Sequence, residues 1–241
     1  MSRTLSLRPA VVAGMVLIGS VQYAWAGFQT VDLSGIVNVP FSGEFGGSTF
    51  PTGNHTYNGV PFNIANVAVA GGGFNNFWTG GGSTTAATAA YTLTLTFNNI
   101  LNVSNVYTMI NTLWGTTNTN PTPLSITFNA GNGGTSYTKD LVGNVDVRDY
   151  NNSYLTTING TTTTNAFTNG TQYLDMQNFV LPSYFTTDGL ASITLTENGA
   201  SGYEKAMFNA LTLETSVPEP MSLVLLLSGM TTLGVARRWV R

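Results

Sequence analysis

The sequence predicts an all-β domain, an antiparallel β-sandwich of jelly-roll type, and three observations carry that expectation. Apolar residues recur at every second position in several segments. Glycine- and asparagine-rich runs separate those segments. No stretch of the central chain carries a convincing amphipathic helical period.

The alternation is clearest in four places. Tyr91, Leu93, Leu95 and Phe97 alternate with Thr92, Thr94 and Thr96, and Leu124, Ile126 and Phe128 alternate with Ser125 and Thr127. Ile193 and Leu195 alternate with Thr194 and Thr196, and Leu211 and Leu213 flank Thr212. Successive side chains of a strand point to opposite faces, so each segment offers one apolar face and one lined with hydroxyls. Further strands are expected at 31–39, 60–69, 106–113, 137–142, 145–150 and 173–181, for nine or ten in all. The run 129–134, Asn-Ala-Gly-Asn-Gly-Gly, is read as a turn, because glycine and asparagine tolerate positive φ. The segment 71–82, which carries Phe74, Phe77 and Trp78 between two glycine triplets, is read as a flexible loop, and 151–169 as a long exposed one.

Composition narrows the function. Charged residues are only 8% of the 241, while hydrophobic residues are 42%, so the chain has a core and a surface made polar by Thr, Asn, Ser and Gly. Between Gly27 and Val217 stand three basic residues, Lys139, Arg148 and Lys205, against ten acids, a formal charge of −7. Nucleic-acid binding needs clustered Lys and Arg and is excluded as a function class. With no cysteine, thiolate metal centres and thiol nucleophiles are excluded too.

The two ends read as targeting segments. Arg3 and Arg8 precede an apolar run, and Ala24-Trp25-Ala26 places small residues at −3 and −1, so signal peptidase is expected to cleave before Gly27. The alternative is an uncleaved anchor, for which the apolar run is short. At the other end Val217, Pro218, Glu219 and Pro220 precede an apolar run at 221–236 and then Arg237, Arg238 and Arg241. Sixteen helical residues reach ~24 Å of a ~30 Å hydrocarbon core, and the arginines can snorkel to the cytoplasmic interface. A buried C-terminal helix of the domain is the competing reading. The domain organisation expected is therefore a signal peptide at 1–26, a β-sandwich at 27–216 and a sorting tail with a single transmembrane helix at 217–241.

This tail resembles the PEP-CTERM sorting signal of exopolysaccharide-producing Gram-negative bacteria: the Pro-Glu-Pro motif, the short span and the arginine cluster occur in that order. The resemblance covers the last 25 residues. It implies an exosortase-type processing enzyme as partner and an inner-membrane-anchored precursor. The finished protein is then expected in the envelope or outside the cell. Within the domain, the phrases Tyr57-Asn58-Gly59-Val60-Pro61-Phe62-Asn63-Ile64 and Gly143-Asn144-Val145-Asp146-Val147-Arg148-Asp149-Tyr150 resemble galactose-binding-like jelly-roll modules. That resemblance implies carbohydrate as ligand and one structural calcium. The residues themselves call for no cofactor.

Candidate chemistry is sparse. His55, the sole histidine, has no Gly-x-Ser-x-Gly elbow to serve and reads as a surface turn residue. Asp140, Asp146, Asp149, Asp175, Glu197 and Glu204 could supply the two carboxylates of a glycosidase, or could be solvated acids and ion-pair partners. On a strand Asp146 and Arg148 would share a face and pair. The alternatives make Arg148 a ligand contact, or make Asp146 and Asp149 calcium ligands. Trp78, with Phe74 and Phe77, could form an exposed platform for a sugar face, or could plug one end of the sandwich. The function expected is a non-catalytic, exopolysaccharide-associated binding module of the envelope. The alternatives are a structural or adhesive surface protein and a secreted glycan hydrolase.

Overall fold

The structure, a computed structural model, describes residues 27–41, 50–82, 89–113, 122–198 and 205–216, all within one compact unit, Trp25–Pro218. The expected signal segment and sorting tail, with Ala24, Ala26, Pro218, Glu219, Pro220, Arg237 and Arg238, lie outside the described residues. Among the described residues no helix is long and apolar enough to cross a membrane.

The unit is all-β. In chain order the strands are β1 (Gly27–Thr30), β2 (Gly53–Tyr57), β3 (Val60–Ile64), β4 (Val67–Ala68), β5 (Phe74–Asn75), β6 (Tyr91–Ile100) and β7 (Val103–Leu113). There follow β8 (Leu124–Ala130), β9 (Tyr137–Leu141), β10 (Thr163–Asn169), β11 (Gln172–Val180), β12 (Leu190–Glu197) and β13 (Lys205–Thr215). The one α-helix among the described residues, α1 (Phe185–Asp188), is a single turn. A five-stranded antiparallel sheet has the order β1-β13-β7-β11-β10, and a four-stranded one β6-β12-β8-β9. Two short hairpins, β2-β3 and β4-β5, complete the set.

The threonine alternation sets the four-stranded sheet. Its inward residues, among them Ile126, Phe128, Ile193 and Leu195, are buried, while Thr92, Thr94 and Thr96 on β6 are exposed. The register is exact enough to align Thr94, Thr194, Thr127 and Thr138 across the four strands. Opposite this sheet Val106, Ile110, Phe179, Phe208, Leu211 and Leu213 complete one apolar cluster. Burying each such side chain contributes roughly 1.5–3 kcal/mol.

The five-stranded sheet has a second apolar cluster. Met109, Leu113, Leu174, Met176 and Met207 pack against Val39, Phe41, Phe50, Val60, Phe62, Ile64 and Phe77 from the N-terminal third of the chain. This double cover explains why Lys205–Leu213 of β13 is buried without a break: a strand packed on both faces loses the alternation of a half-buried one. Thr212 Oγ1 donates to Pro61 O at 2.5 Å and ties β3 to β13. Asn58 (φ 49°) and Gly59 (φ 84°) form the two-residue turn of β2-β3, where consecutive positive φ values match the strand twist.

Several expectations need correction. Residues 31–39 form a turn-containing connection with one bridge, Val39 to Phe77, rather than a strand. The segment 60–69 divides into β3 and β4 at Ala65-Asn66, whose Ala65 carbonyl and Asn66 side chain both accept from Asn76. The expected strand at 145–150 is a turn followed by isolated bridges, since the Asp146 N–H returns to Val142 O at 2.7 Å and Asn144 N–H to Val147 O at 2.9 Å. The expected loop at 151–169 ends early, because Thr163–Asn169 pairs with β11 as an edge strand. Of the expected turn at 129–134, Asn129 and Ala130 complete β8, and the turn itself begins at Gly131, with Asn132 at φ 51° and Gly133 at φ 78°.

Candidate ligand-binding cleft

On the flank of the two sheets, where edge strand β9 faces the β10-β11 pair, a cleft of about 280 Å³ opens. Three elements build it. β9 contributes Tyr137 and Lys139, the positions that alternate with Thr138 and Asp140. The turn after β9 contributes Asp146. The β10-β11 hairpin contributes Thr162 and Thr163 together with Gln177, Phe179 and their neighbours.

The apolar part of the cleft rests on the core. Phe128 stacks on Tyr137 (centroids 5.9 Å, planes 17° apart) and packs on its other contact against Phe179 at 5.3 Å. The polar part is held from behind. Gln177, 1% exposed, accepts at Oε1 from Thr108 Oγ1 (2.8 Å) and the Ile110 N–H (3.0 Å), and donates to Ile110 O at 2.8 Å and Asp146 O at 3.4 Å. Thr163 Oγ1 donates to Asp146 O at 2.9 Å. The Asp146 carboxylate accepts the Val142 N–H at 3.0 Å and pairs with Lys139 Nζ at 3.2 Å. The buried amide and hydroxyl thus fix the backbone that carries Asp146, and of the pair Lys139 reaches the surface, its side chain 39% exposed, while Asp146 sits in the cleft wall at 6%.

Arg148 is not paired with Asp146 and does not reach the cleft. Residues 144–146 are a turn, so the same-face argument for a strand does not apply. Arg148 Nε and Nη2 instead make a fork with Asp175, at 2.8 and 2.7 Å, and the guanidinium lies 3.7 Å from the Tyr173 ring centre. Asn111 Nδ2 donates to the same carboxylate at 2.8 Å. Asp175 is fully buried and Arg148 nearly so, which makes this an internal anchor for the turn and corrects the reading of Arg148 as a ligand contact.

The aromatic platform is corrected as well. Phe77 is fully buried in the second cluster and Trp78 lies in the first, its backbone bridged to Phe208 at 2.8 and 3.1 Å. Only Phe74 is exposed, at 46%. A ring in the core has no face left for a sugar, so the glycine triplets flank a segment anchored by two aromatics. For calcium, Asp146 is engaged by an ammonium that a cation would have to displace, and Asp149 accepts the Asn151 N–H at 3.0 Å. Among the described residues no three His, Cys, Asp or Glu gather as a metal site, so the donor set does not fit a structural calcium there. His55 lies on β2, its Nε2 3.0 Å from Thr52 O, and stacks on Tyr57.

A second polar cluster lies at the β12–β13 end. Glu197 is fully buried, and its Oε1 accepts the Gly80 N–H at 2.8 Å and the Ala206 N–H at 3.0 Å. Burial pushes its carboxyl above the usual range, while those two N–H groups and the Lys205 charge pull the other way. Lys205 Nζ donates to Gly80 O at 2.7 Å. Burial lowers its ammonium pKa and Glu197 opposes that. A side chain at position 80 would collide with Glu197 Oε2, so glycine is required for this close approach.

Sequence reasoning missed Tyr137, Lys139, Thr163 and Gln177 as a group. One signal was available: three basic residues in the whole domain make the surroundings of each worth asking about. No protein-family model, curated protein or solved structure matches the chain.

Proposed function

We infer that this chain is an exported, non-catalytic envelope protein whose β-sandwich holds exopolysaccharide through the flank cleft. The observation that carries the reading is the make-up of that cleft. It combines an aromatic ring backed by the core, a lysine–aspartate pair with hydrogen-bonding capacity to spare, and the buried side chains of Gln177 and Thr163, held by the Thr108 hydroxyl and the backbone. Such a wall, mostly apolar with a few fixed polar groups, suits a small polar ligand. It is poorly suited to glycoside hydrolysis, which needs two carboxylates across the scissile bond: the cleft lining has one, Asp146.

Delivery rests on the sequence. The signal peptide, the Pro-Glu-Pro motif and the arginine cluster support export, inner-membrane anchoring and release by an exosortase-type enzyme, and a jelly-roll connectivity of the galactose-binding-like kind suits the sandwich. The test is a glycan array probed with the purified protein. Binding to at least one polysaccharide class is expected. An array blank at every glycan would favour a structural surface protein instead, a role that the in-register threonine face would also serve.

A further inference from the structure

Three basic residues fall between Gly27 and Ser216, and two of them are spent inside the protein: Arg148 is 8% exposed and forked onto Asp175, and Lys205 is 3% exposed and bonded to Gly80 O. Lys139 is the one whose side chain reaches solvent, and it does so in the flank cleft beside Asp146. The acceptor and donor of this pair are complementary and incomplete. An ammonium has three N–H bonds and no lone pair, and a carboxylate has about four acceptor sites and no proton. Lys139 Nζ uses one direction for Asp146, and Asp146 accepts from Lys139 and Val142. What remains is a donor and an acceptor about 3 Å apart.

We propose that the cleft takes a single neutral sugar unit by two adjacent hydroxyls, one accepting from Lys139 and the other donating to Asp146, with the ring lying along Tyr137. This rests on the glycan-binding reading and names its ligand class. Three observations choose a neutral ligand. A hydroxyl is donor and acceptor at once, so a vicinal pair satisfies both partners without disturbing their contact. The pair is already neutral, so a ligand carboxylate brought to Lys139 would meet Asp146 at the same distance. The domain's formal charge of −7 repels acidic polymers over longer range. The volume, about 280 Å³, lies just below the ~300–1,000 Å³ of small-molecule sites. It fits one sugar unit at a chain end or branch, not an extended segment. Since Gln177 and Thr163 hold Asp146 through its backbone carbonyl, the acceptor is in place before the ligand arrives, which limits the ordering cost of binding.

The experiment is isothermal titration of the full-length chain with three sets of oligosaccharides: neutral ones ending in a sugar with vicinal hydroxyls, the same sugars with those hydroxyls methylated, and the corresponding uronates. Lys139→Met and Asp146→Asn are run beside wild type, with melting temperature as the folding control. The proposal expects binding in the first set alone, weakened about tenfold or more by Lys139→Met, a charge-assisted hydrogen bond being worth that much. Tighter binding of uronates would overturn the neutral assignment and leave glycan binding intact. Neutral binding untouched by either substitution or by methylation would move the site elsewhere on the protein. No binding of any set by folded wild type would overturn both this proposal and the glycan-binding reading.

Discussion

Replacing Arg148 with methionine tests the internal anchor on which the cleft depends. Asp175 is 0% exposed and receives three donor contacts, from Arg148 Nε and Nη2 at 2.8 and 2.7 Å and from Asn111 Nδ2 at 2.8 Å. Methionine fills much of the arginine stem's space but leaves the carboxylate with one donor and no countercharge. Breaking a buried pair by removing one partner typically costs about 3–5 kcal/mol. For a domain of this size that is a fall in Tm of roughly 6–20 °C, at about 2–4 °C per kcal/mol. The companion variant Asp175→Leu, alone and combined with Arg148→Met, completes a double-mutant cycle in urea unfolding. The double variant is expected to recover much of the loss, because replacing both members with apolar side chains removes the stranded charge, giving a coupling of about 2 kcal/mol or more. A single-variant loss below about 1 kcal/mol, with strictly additive losses in the cycle, would refute the view that this pair is buried and anchors the turn that carries Asp146.

Three other outcomes follow from the same structure. Trp78→Ala should lose about 3–5 kcal/mol by urea unfolding, as a large core truncation does, while Phe74→Ala at its exposed site stays within about 0.5 kcal/mol; the reverse order would return Trp78 to the surface. Glu197→Gln keeps the acceptor for the Gly80 and Ala206 N–H groups and removes the titration. Because the folded carboxyl titrates above its unfolded value, its contribution to stability is full below that unfolded value, near 4.5, and is lost as pH rises through the raised folded value. The stability of the variant relative to wild type should therefore increase with pH across that window, and a pH-independent difference would contradict the assignment. Removing residues 221–241 should release the exported domain from the membrane fraction, and N-terminal sequencing should return Gly27; retention of the truncated chain, or a Met1 start, would count against the sorting account.

The parts of the fold legible in the sequence were those in which one face meets water. β6, β8 and β12 show threonine against leucine, isoleucine or phenylalanine because their outer faces are solvated. β7 and β13 were found only in part. Their polar residues Thr108, Asn111, Asn209 and Thr212 are buried, and Thr212 lies under the N-terminal segment, its hydroxyl donating to Pro61 O, a cover that no local pattern announces. β10 was lost among the surrounding Thr and Asn, since an edge strand with only partial burial needs little apolar content. Residues 145–150 read as a strand because Val145 and Val147 alternate with charges, although 144–146 form a turn. The cleft is the least legible part: Tyr137 and Lys139 lie on a strand the pattern finds, Asp146 reaches Lys139 through a local turn that reads as a strand, and Gln177 arrives through pairings remote in sequence. The sequence pairs Asp146 with Arg148 on a strand face, whereas the turn gives it Lys139 and leaves Arg148 to Asp175.

The proposed ligand site lies at the flank between β9 and the β10-β11 hairpin. Hydrogen–deuterium exchange of the purified protein, with and without the glycan it retains best, locates the site without presupposing any residue's role. Added protection is expected in 137–146 and 162–180, with no change along the threonine strands of β6 and β12 and loss of the effect in Lys139→Met. Protection confined to the β6–β12 face or to the loop around Phe74, with the flank unchanged, would contradict it.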